Sequence, residues 1–157
     1  MTACAQPSGF IADALDRLRN HIMQVPEGLN ALSKTALTQH IPGKWSRKEI
    51  LGHLVDSALN NLKRFTDAPL ADGPYLLQGY QQDNLVRANR YQELPLSHLL
   101  TLWSSLNTQI VYVTEVLPTD VLSKSIRFSQ SDVPDRTLGW LIEDYVAHLE
   151  HHLKTLL

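Results

Sequence analysis

The sequence predicts an all-α protein, built as a four-helix bundle with two long connections. Four segments carry apolar residues at helical spacing, capping signals and helix-breaking residues mark their ends, and no segment shows the sustained apolar–polar alternation of a strand. A chain of 157 residues is most simply one domain. We place this domain at residues 9–157, after a flexible tail at residues 1–8.

The first part of the chain is predicted to form one long helix and one short helix. Apolar residues recur at helical spacing from about residue 10, and Pro26 and Gly28 are expected to break the helix. A weaker helical pattern follows over residues 29–38. The apolar positions of the first helix are Phe10, Ile11, Ala14, Leu15, Leu18 and Ile22.

The second long helix has a strong start signal. Ser46 is followed three residues later by Glu49, which is the spacing of a capping box, and Trp45 is suited to a hydrophobic staple. We expect this helix to run to about Phe65. Its apolar stripe consists of Ile50, Leu51, Leu54, Ala58, Leu62 and Phe65.

Two further long helices are predicted after a polar connection that contains Tyr75 and Tyr80 and adds a helical turn or two. One begins near Pro95, because proline suits a first helical turn. A second irregular segment precedes the last helix, which runs from about Thr137 to the C-terminus. The inward positions of this last helix are Leu138, Leu141, Ile142, Tyr145, Leu149, Leu153 and Leu156.

Composition and charge exclude several classes of function. The formal net charge is -2 and no Lys/Arg cluster stands out, so nucleic-acid binding has no electrostatic support. No apolar run approaches the length of a membrane span, and the N-terminus does not read as a secretory signal. The single cysteine, Cys4, cannot form an internal disulfide. We therefore expect a cytoplasmic protein without a nucleic-acid or membrane partner.

Three histidines form the most informative pattern in the chain. His148 and His152 are four residues apart inside the apolar stripe of the last helix, so both rings project from one face. His53 flanks the apolar stripe of the second long helix. His151 lies roughly 100° around the last helix from His152, toward its polar side. If the two helices are neighbours, three imidazoles converge and can bind a metal ion with positions left open for water or substrate.

Spacing alone is also compatible with histidines that bind no metal. Histidines near the C-terminal end of a helix interact favourably with its dipole, and an isolated HxxxH pair occurs often by chance. His53 begins a polar line with Ser57, Asn60 and Arg64, which fits either a binding site or a buried hydrogen-bond network. Asp56 and Asp144 each lie close to one histidine, as hydrogen-bond acceptors for an imidazole or as surface carboxylates.

The chain resembles the DinB/YfiT-like superfamily of four-helix metalloproteins. The resemblance rests on two segments, WSRKEILGHLVDSALNNLKRF and TLGWLIEDYVAHLEHHL, which agree with the family in order, separation and helical context. It implies an up-down-down-up bundle, often as a homodimer, with a divalent metal, most often nickel or zinc. The implied metal ligands are His53, His148 and His152.

The resemblance implies an enzyme and leaves its nucleophile open. Members like this one have been regarded as metal-dependent hydrolases, which would use a metal-bound water, whereas the YfiT-like branch, which this chain most resembles, suggests a transferase that activates a small thiol for attack on an electrophile. A bundle that binds a metal or a small molecule without catalysis is the third possibility. The candidates for a substrate-binding or catalytic role are Arg64, Asn60 and Asp56, with Asn61 as the alternative to Asn60. Arg64 is suited to holding a carboxylate of the thiol or of the substrate.

Overall fold

The computed structural model describes residues 9–130 and 132–157 and confirms the predicted four-helix bundle. The predicted tail at residues 1–8, which contains Cys4, lies outside the described residues. In chain order the helices are α1 (Gly9–Asn30), α2 (Lys34–Thr38), α3 (Arg47–Asp67), α4 (Gln82–Ala88), α5 (Leu96–Thr114), α6 (Thr119–Leu122) and α7 (Leu138–Leu156). Single 3₁₀ turns occupy Ala68–Leu70 and Tyr91–Glu93.

The long helices α1, α3, α5 and α7 form the bundle, in which α1 and α3 lie diagonally and each packs against both α5 and α7. Helices α1 and α7 run parallel, because Arg17 of α1 bonds to Glu143 of α7 while Gly28 farther along α1 lies against Leu157. None of the helices in the described residues is long and apolar enough to cross a membrane.

Helices α3 and α5 run opposite to α1 and α7. The start of α3 meets the end of α7, because the Arg47 guanidinium donates to the backbone carbonyl of Leu156. The Phe65 ring, near the end of α3, contacts the Tyr145 ring earlier in α7. Helix α5 is likewise antiparallel to α1. This arrangement is the expected up-down-down-up topology.

The core confirms most of the predicted apolar stripes. All seven inward positions predicted for α7 are buried, as are Ile11, Ala14, Leu15 and Leu18 of α1. The capping box is also present, because Ser46 Oγ accepts from the Glu49 backbone N–H at 3.2 Å and the Glu49 carboxylate accepts from the Ser46 N–H at 2.9 Å. These bonds fix the start of α3 and therefore the position of the residues that follow.

The predicted break at Pro26 and Gly28 is wrong, because α1 continues through both residues. Pro26 removes one helical hydrogen bond, but Val25 and Leu29 beside it are fully buried. Tertiary packing of this apolar face outweighs the local preference to end the helix. Gly28 has a packing role, since a Cβ there would lie 2.7 Å from a methyl carbon of Leu157. The weak helical pattern over residues 29–38 yields only α2, after a break.

A small three-stranded sheet, which the sequence did not predict, joins the two long connections. Strand β1 (Tyr75–Leu77) pairs in parallel with β2 (Ser125–Phe128), and β2 pairs antiparallel with β3 (Arg136–Thr137). The expectation of two irregular segments is wrong in these stretches, because strands of two to four residues are too short to show a recognisable alternation. The sheet ties the loop after α3 to the segment before α7.

Candidate metal centre

The antiparallel packing of α3 and α7 brings together the three histidines selected from the sequence. His53 is fully buried on α3, and His148 and His152 are half-buried on α7. Their ligand atoms all lie within 4.8 Å of one another. His151, on the same helix, is exposed and is not part of the cluster. The structure thus has the convergence that the HxxxH spacing and His53 predicted.

The three rings direct the same nitrogen, Nε2, toward one point. The Nε2 atoms of His53 and His148 are 3.4 Å apart, and those of His148 and His152 are 3.2 Å apart. Two nitrogens bound to one tetrahedral zinc ion at about 2.0–2.1 Å lie about 3.3–3.4 Å from each other. These two separations therefore match those of shared ligands, and all three ligand atoms lie within 4.8 Å of one another.

Hydrogen bonding alone does not satisfy this arrangement. His148 Nε2 lies within hydrogen-bond distance of two other ring nitrogens, yet it has one proton to donate or one lone pair to accept with. At most one of the two contacts is a hydrogen bond. A cation would accept a lone pair from each of the three imidazoles, so the donor set fits a divalent metal.

Burial keeps the imidazoles in the uncharged form that binds metals. Desolvation, followed by repulsion from the other two rings, lowers the pKa of His53 to about 4. The same causes lower the pKa of His152 to about 4, with His148 and His151 as the neighbours. Burial and His151 also lower the pKa of His148. At pH 7 no proton has to leave these rings before a metal binds.

Packing, rather than a carboxylate, orients the His53 ring. The Trp45 ring lies against it, with centroids 4.8 Å apart, and thus covers one side of the cluster. His53 Nδ1 is buried and has no hydrogen-bond partner among residues 9–130 and 132–157. The suggestion that Asp56 orients this imidazole is therefore not supported by a hydrogen bond.

Asp56 instead connects α3 to the segment after α4. One of its carboxylate oxygens accepts from the Tyr91 hydroxyl at 2.6 Å and from the Asn89 side-chain amide at 3.0 Å. Burial raises the Asp56 pKa, and these two hydrogen bonds partly oppose the change. Asn60 donates to the Asp56 backbone carbonyl at 2.8 Å. These contacts give both candidate residues a structural role, since neither lines the cavity described next.

A cavity of about 260 Å³ extends from the histidine cluster along α3 and α7. His148 lies at one end, and Arg64 contributes its guanidinium group. The small sheet and its flanking loop form one wall, which the sequence could not locate without the strand pairing. The other lining residues are Ser57, Asn61, Leu77, Gly79, Tyr80, Gln82, Phe128, Leu141, Asp144 and Tyr145.

Arg64 is the predicted substrate-binding residue that the structure places on this cavity. Its guanidinium donates to the Gln78 backbone carbonyl at 2.6 Å and to the Asn61 side-chain oxygen at 3.3 Å. It also lies 5.7 Å from the centroid of the Tyr80 ring. The polar line on α3 therefore reaches the cavity through Ser57, Asn61 and Arg64, with Asn61 in the place assigned to Asn60.

Tyr145 is a further cavity residue, and sequence analysis gave it only a core role. Its hydroxyl donates to the side-chain oxygen of Asn107 on α5 at 2.5 Å, and burial raises its pKa. Phe65 packs edge-on against the Tyr145 ring. These contacts hold the phenol in place as an uncharged part of the cavity wall. A tyrosine with apolar neighbours gives no sequence signal that separates this position from the core.

Comparisons with solved structures agree with this fold. YfiT from Bacillus subtilis, described as a probable metal-dependent hydrolase with an unusual four-helix bundle topology, is similar at 19% identity and a TM-score of 0.78. The similarity covers 89% of this chain and 79% of YfiT. A mycothiol-dependent maleylpyruvate isomerase is similar at 13% identity and a TM-score of 0.66, over 91% of this chain and 59% of the isomerase.

These structural similarities establish the fold, while the sequence establishes the family. A comparison with curated proteins found no match. The sequence profile of the DinB superfamily matches residues 13–156, which include all four long helices almost completely and all three clustered histidines. The chain therefore belongs to the DinB superfamily.

Proposed function

We propose that this protein is a divalent-metal-dependent enzyme that activates a small thiol for transfer to an electrophilic carbon. The observation that carries the proposal is the convergence of three uncharged imidazoles at one end of a cavity large enough for a small molecule. Three neutral ligands suit nickel or zinc and leave coordination positions open. Of the two similar structures, one is described as a probable metal-dependent hydrolase and the other as a mycothiol-dependent isomerase, so a metal requirement and a thiol requirement each occur with this fold.

The histidines, Trp45 and the cavity wall would have different roles in the reaction. His53, His148 and His152 would hold the ion, which when bound lowers the pKa of a thiol or water and so supplies a nucleophile at neutral pH. Trp45 covers the cluster on the His53 side. The cavity wall would hold the electrophile close to the nucleophile. This placement lowers the entropic part of the activation barrier, because the two reactants are already bound next to each other.

The reaction balances without a redox partner. The thiol loses its proton and the sulfur forms a bond to the electrophilic carbon. With an alkyl halide, the halide departs with the electron pair of the broken bond. With a conjugated carbonyl compound, no group departs: the electron pair of the carbon–carbon π bond moves toward the carbonyl, and the α carbon takes up the proton. With water as nucleophile, the same site would hydrolyse an ester or amide. We favour the thiol because a similar structure is that of a mycothiol-dependent enzyme and because the cavity beside the histidines can hold a second small molecule. Hydrolysis, the activity suggested for YfiT, becomes an outcome of the test.

Mass spectrometry of the products tests the proposal. The protein, loaded with zinc or nickel, would be incubated with a panel of alkyl halides and conjugated carbonyl compounds, each with glutathione, bacillithiol or mycothiol. We expect a conjugate to form with at least one thiol. His53→Ala should abolish it, because one lost ligand weakens metal binding, and the far-UV circular dichroism should be unchanged.

His151→Ala is the matched control, since it removes an exposed imidazole next to His152 and leaves the cluster intact. It should react like the wild type. Failure to form any conjugate above the His53→Ala background, with all three thiols, would reject thiol transfer. Product formation without thiol would assign hydrolysis.

A further inference from the structure

The electrostatic surroundings of Arg64 differ from those of Arg17 and Arg19 on α1. Arg17 pairs with acidic side chains on α7, and Arg19 pairs with Glu115 just after the end of α5. Arg64 is half-buried, and its two hydrogen bonds go to the neutral oxygens of Gln78 and Asn61. No acidic side chain forms a salt bridge with it in the described parts of the chain.

Holding a cation in this way is unfavourable unless an anion joins it. Burial is the largest influence on the Arg64 guanidinium and lowers its pKa. Partial desolvation weakens the hydration of the charge, and two neutral acceptors compensate for it less well than a carboxylate does. Since Arg64 lines the cavity, its missing counterion can be a ligand.

The guanidinium is also oriented before a ligand arrives. A guanidinium has about five N–H donors, and in Arg64 two of them are taken by the Gln78 carbonyl and the Asn61 side-chain oxygen. The central carbon of the guanidinium lies 5.7 Å from the centroid of the Tyr80 ring. The remaining donors lie in one plane, which suits the two oxygens of a carboxylate. Because these contacts already limit side-chain motion, less entropy is lost when the carboxylate binds.

The rest of the cavity defines the body and the orientation of this ligand. Leu77, Phe128 and Leu141 provide apolar surface beside the polar line of α3. Asp144, on the α7 side, lies one helical turn before His148 and is the one acidic residue that residues 9–130 and 132–157 contribute to the lining. Its charge disfavours an anionic group next to it and so favours an anion at Arg64.

We propose that the cavity binds a small molecule with an apolar body and a carboxylate, and that the carboxylate is held by Arg64. This inference specifies the ligand of the proposed enzyme and rests on that proposal only for the claim that the ligand reacts at the histidine end. The carboxylate belongs either to the electrophile or to the thiol. Both sources present the same chemistry to Arg64.

Calorimetric titration with two matched probes tests the binding claim without any turnover. The probes are 3-phenylpropanoate and its neutral analogue 3-phenylpropanamide, titrated into the zinc-loaded protein and into chelator-treated protein. We expect the carboxylate to bind about tenfold or more tightly than the amide in both preparations, because a charge-assisted pair is lost in the amide. Agreement between the two preparations shows that the preference does not come from zinc.

Two variants assign this preference to Arg64. Arg64→Gln should remove it, so that both probes bind equally weakly, and Arg64→Lys should retain part of it. Arg87→Gln is the control, since it removes the same charge from an exposed position on α4 outside the cavity. A carboxylate preference that is absent from the wild type, or that survives in Arg64→Gln, would overturn the proposal.

Steady-state kinetics then identify the source of the carboxylate. If the electrophile carries it, Arg64→Gln should raise the KM for a carboxylate-bearing electrophile and leave that for its methyl ester unchanged. If the thiol carries it, the variant should raise the KM for glutathione with either electrophile. Calorimetric binding that depends on Arg64 without any conjugation would reject the proposed transferase and leave this inference standing.

Discussion

At the scale of single residues, burial determines the chemistry of the histidine cluster. A free imidazole titrates near pH 6.5, whereas the pKa values of His53 and His152 lie at about 4 because burial and the neighbouring rings disfavour the charged form. In the folded protein these rings stay neutral over a pH range in which the same histidines of the unfolded chain bind protons. Stability without metal must therefore depend on pH.

The sign of this dependence follows from proton uptake. Between pH 6.5 and about 4 the unfolded chain binds more protons at these positions, so the free energy of unfolding falls as the pH is lowered. Each ring contributes a slope of up to about 1.4 kcal/mol per pH unit. Urea unfolding of chelator-treated protein at pH 7, 6 and 5 measures it. His53→Gln should show a shallower slope than the wild type, and equal slopes would contradict this origin of the pH dependence.

The roles of individual polar residues were only partly predictable. His148 and His152 were identifiable because imidazoles inside an apolar stripe need a partner, and helical spacing fixed their common face. Asp56 and Asn60 were assigned to the site, but their hydrogen bonds to Tyr91 and to the backbone depend on a loop whose path no spacing rule predicts. The role of Asp56 is known only once Tyr91 is placed.

At the scale of elements, α3 organises both the histidine cluster and the loop that follows. Gly52, one residue before His53, lets the Tyr91 ring approach the helix so closely that a Cβ would lie 2.1 Å from it. This approach brings the Tyr91 hydroxyl to Asp56 at 2.6 Å. A residue next to the candidate metal ligand thereby fixes the segment between α4 and α5.

Gly52→Ala should destabilise the protein strongly, although alanine is the better helix former. The new methyl would overlap the Tyr91 ring, whose hydroxyl is hydrogen-bonded to buried Asp56. Displacing this ring should lower the free energy of unfolding by about 1–3 kcal/mol after the gain in helix propensity is subtracted. Urea unfolding at pH 7 measures the loss. Gly28→Ala is the control, because its methyl meets only the flexible end of Leu157. Equal stability of the two variants would show that the Tyr91 contact is not required.

The long helices were predictable, and two features of their connections were not. Ser46 and Glu49 marked the start of α3 by local chemistry that the fold retains. The prediction that the helix ends at Pro26 was wrong because the burial of Val25 and Leu29 in the bundle outweighs the local effect of the proline. Strands β1 and β2 are separated by about fifty residues of sequence, so a pattern within a short segment does not indicate that they pair.

At the scale of the whole molecule, the up-down-down-up order makes the site possible. Helices α3 and α7 are neighbours and run antiparallel, which places His53 opposite His148 and His152. The diagonal placement of α1 and α3 leaves the outer faces of α1 and α5 away from the cluster. Those faces carry the exposed apolar side chains Met23 and Tyr112.

We expect the protein to form a homodimer through α1 and α5. Met23, Tyr112 and Val116 are 60–75% exposed, and Tyr112 lines a groove between the two helices. Light scattering at micromolar concentration should give twice the chain mass, and Tyr112→Glu with Val116→Glu should give the monomer. Leu70→Glu, at a still more exposed apolar position on another segment, should leave the mass unchanged. A monomeric wild type at all concentrations would contradict this expectation.

The metal content of the purified protein tests the central claim most directly. Untagged wild-type protein, prepared without chelator, titrated with zinc or nickel and desalted, should retain about one ion per chain by elemental analysis. The His148→Ala, His152→Ala double variant should retain almost none, and His151→Ala should match the wild type. Negligible and equal retention by the wild type and the double variant would contradict the metal centre.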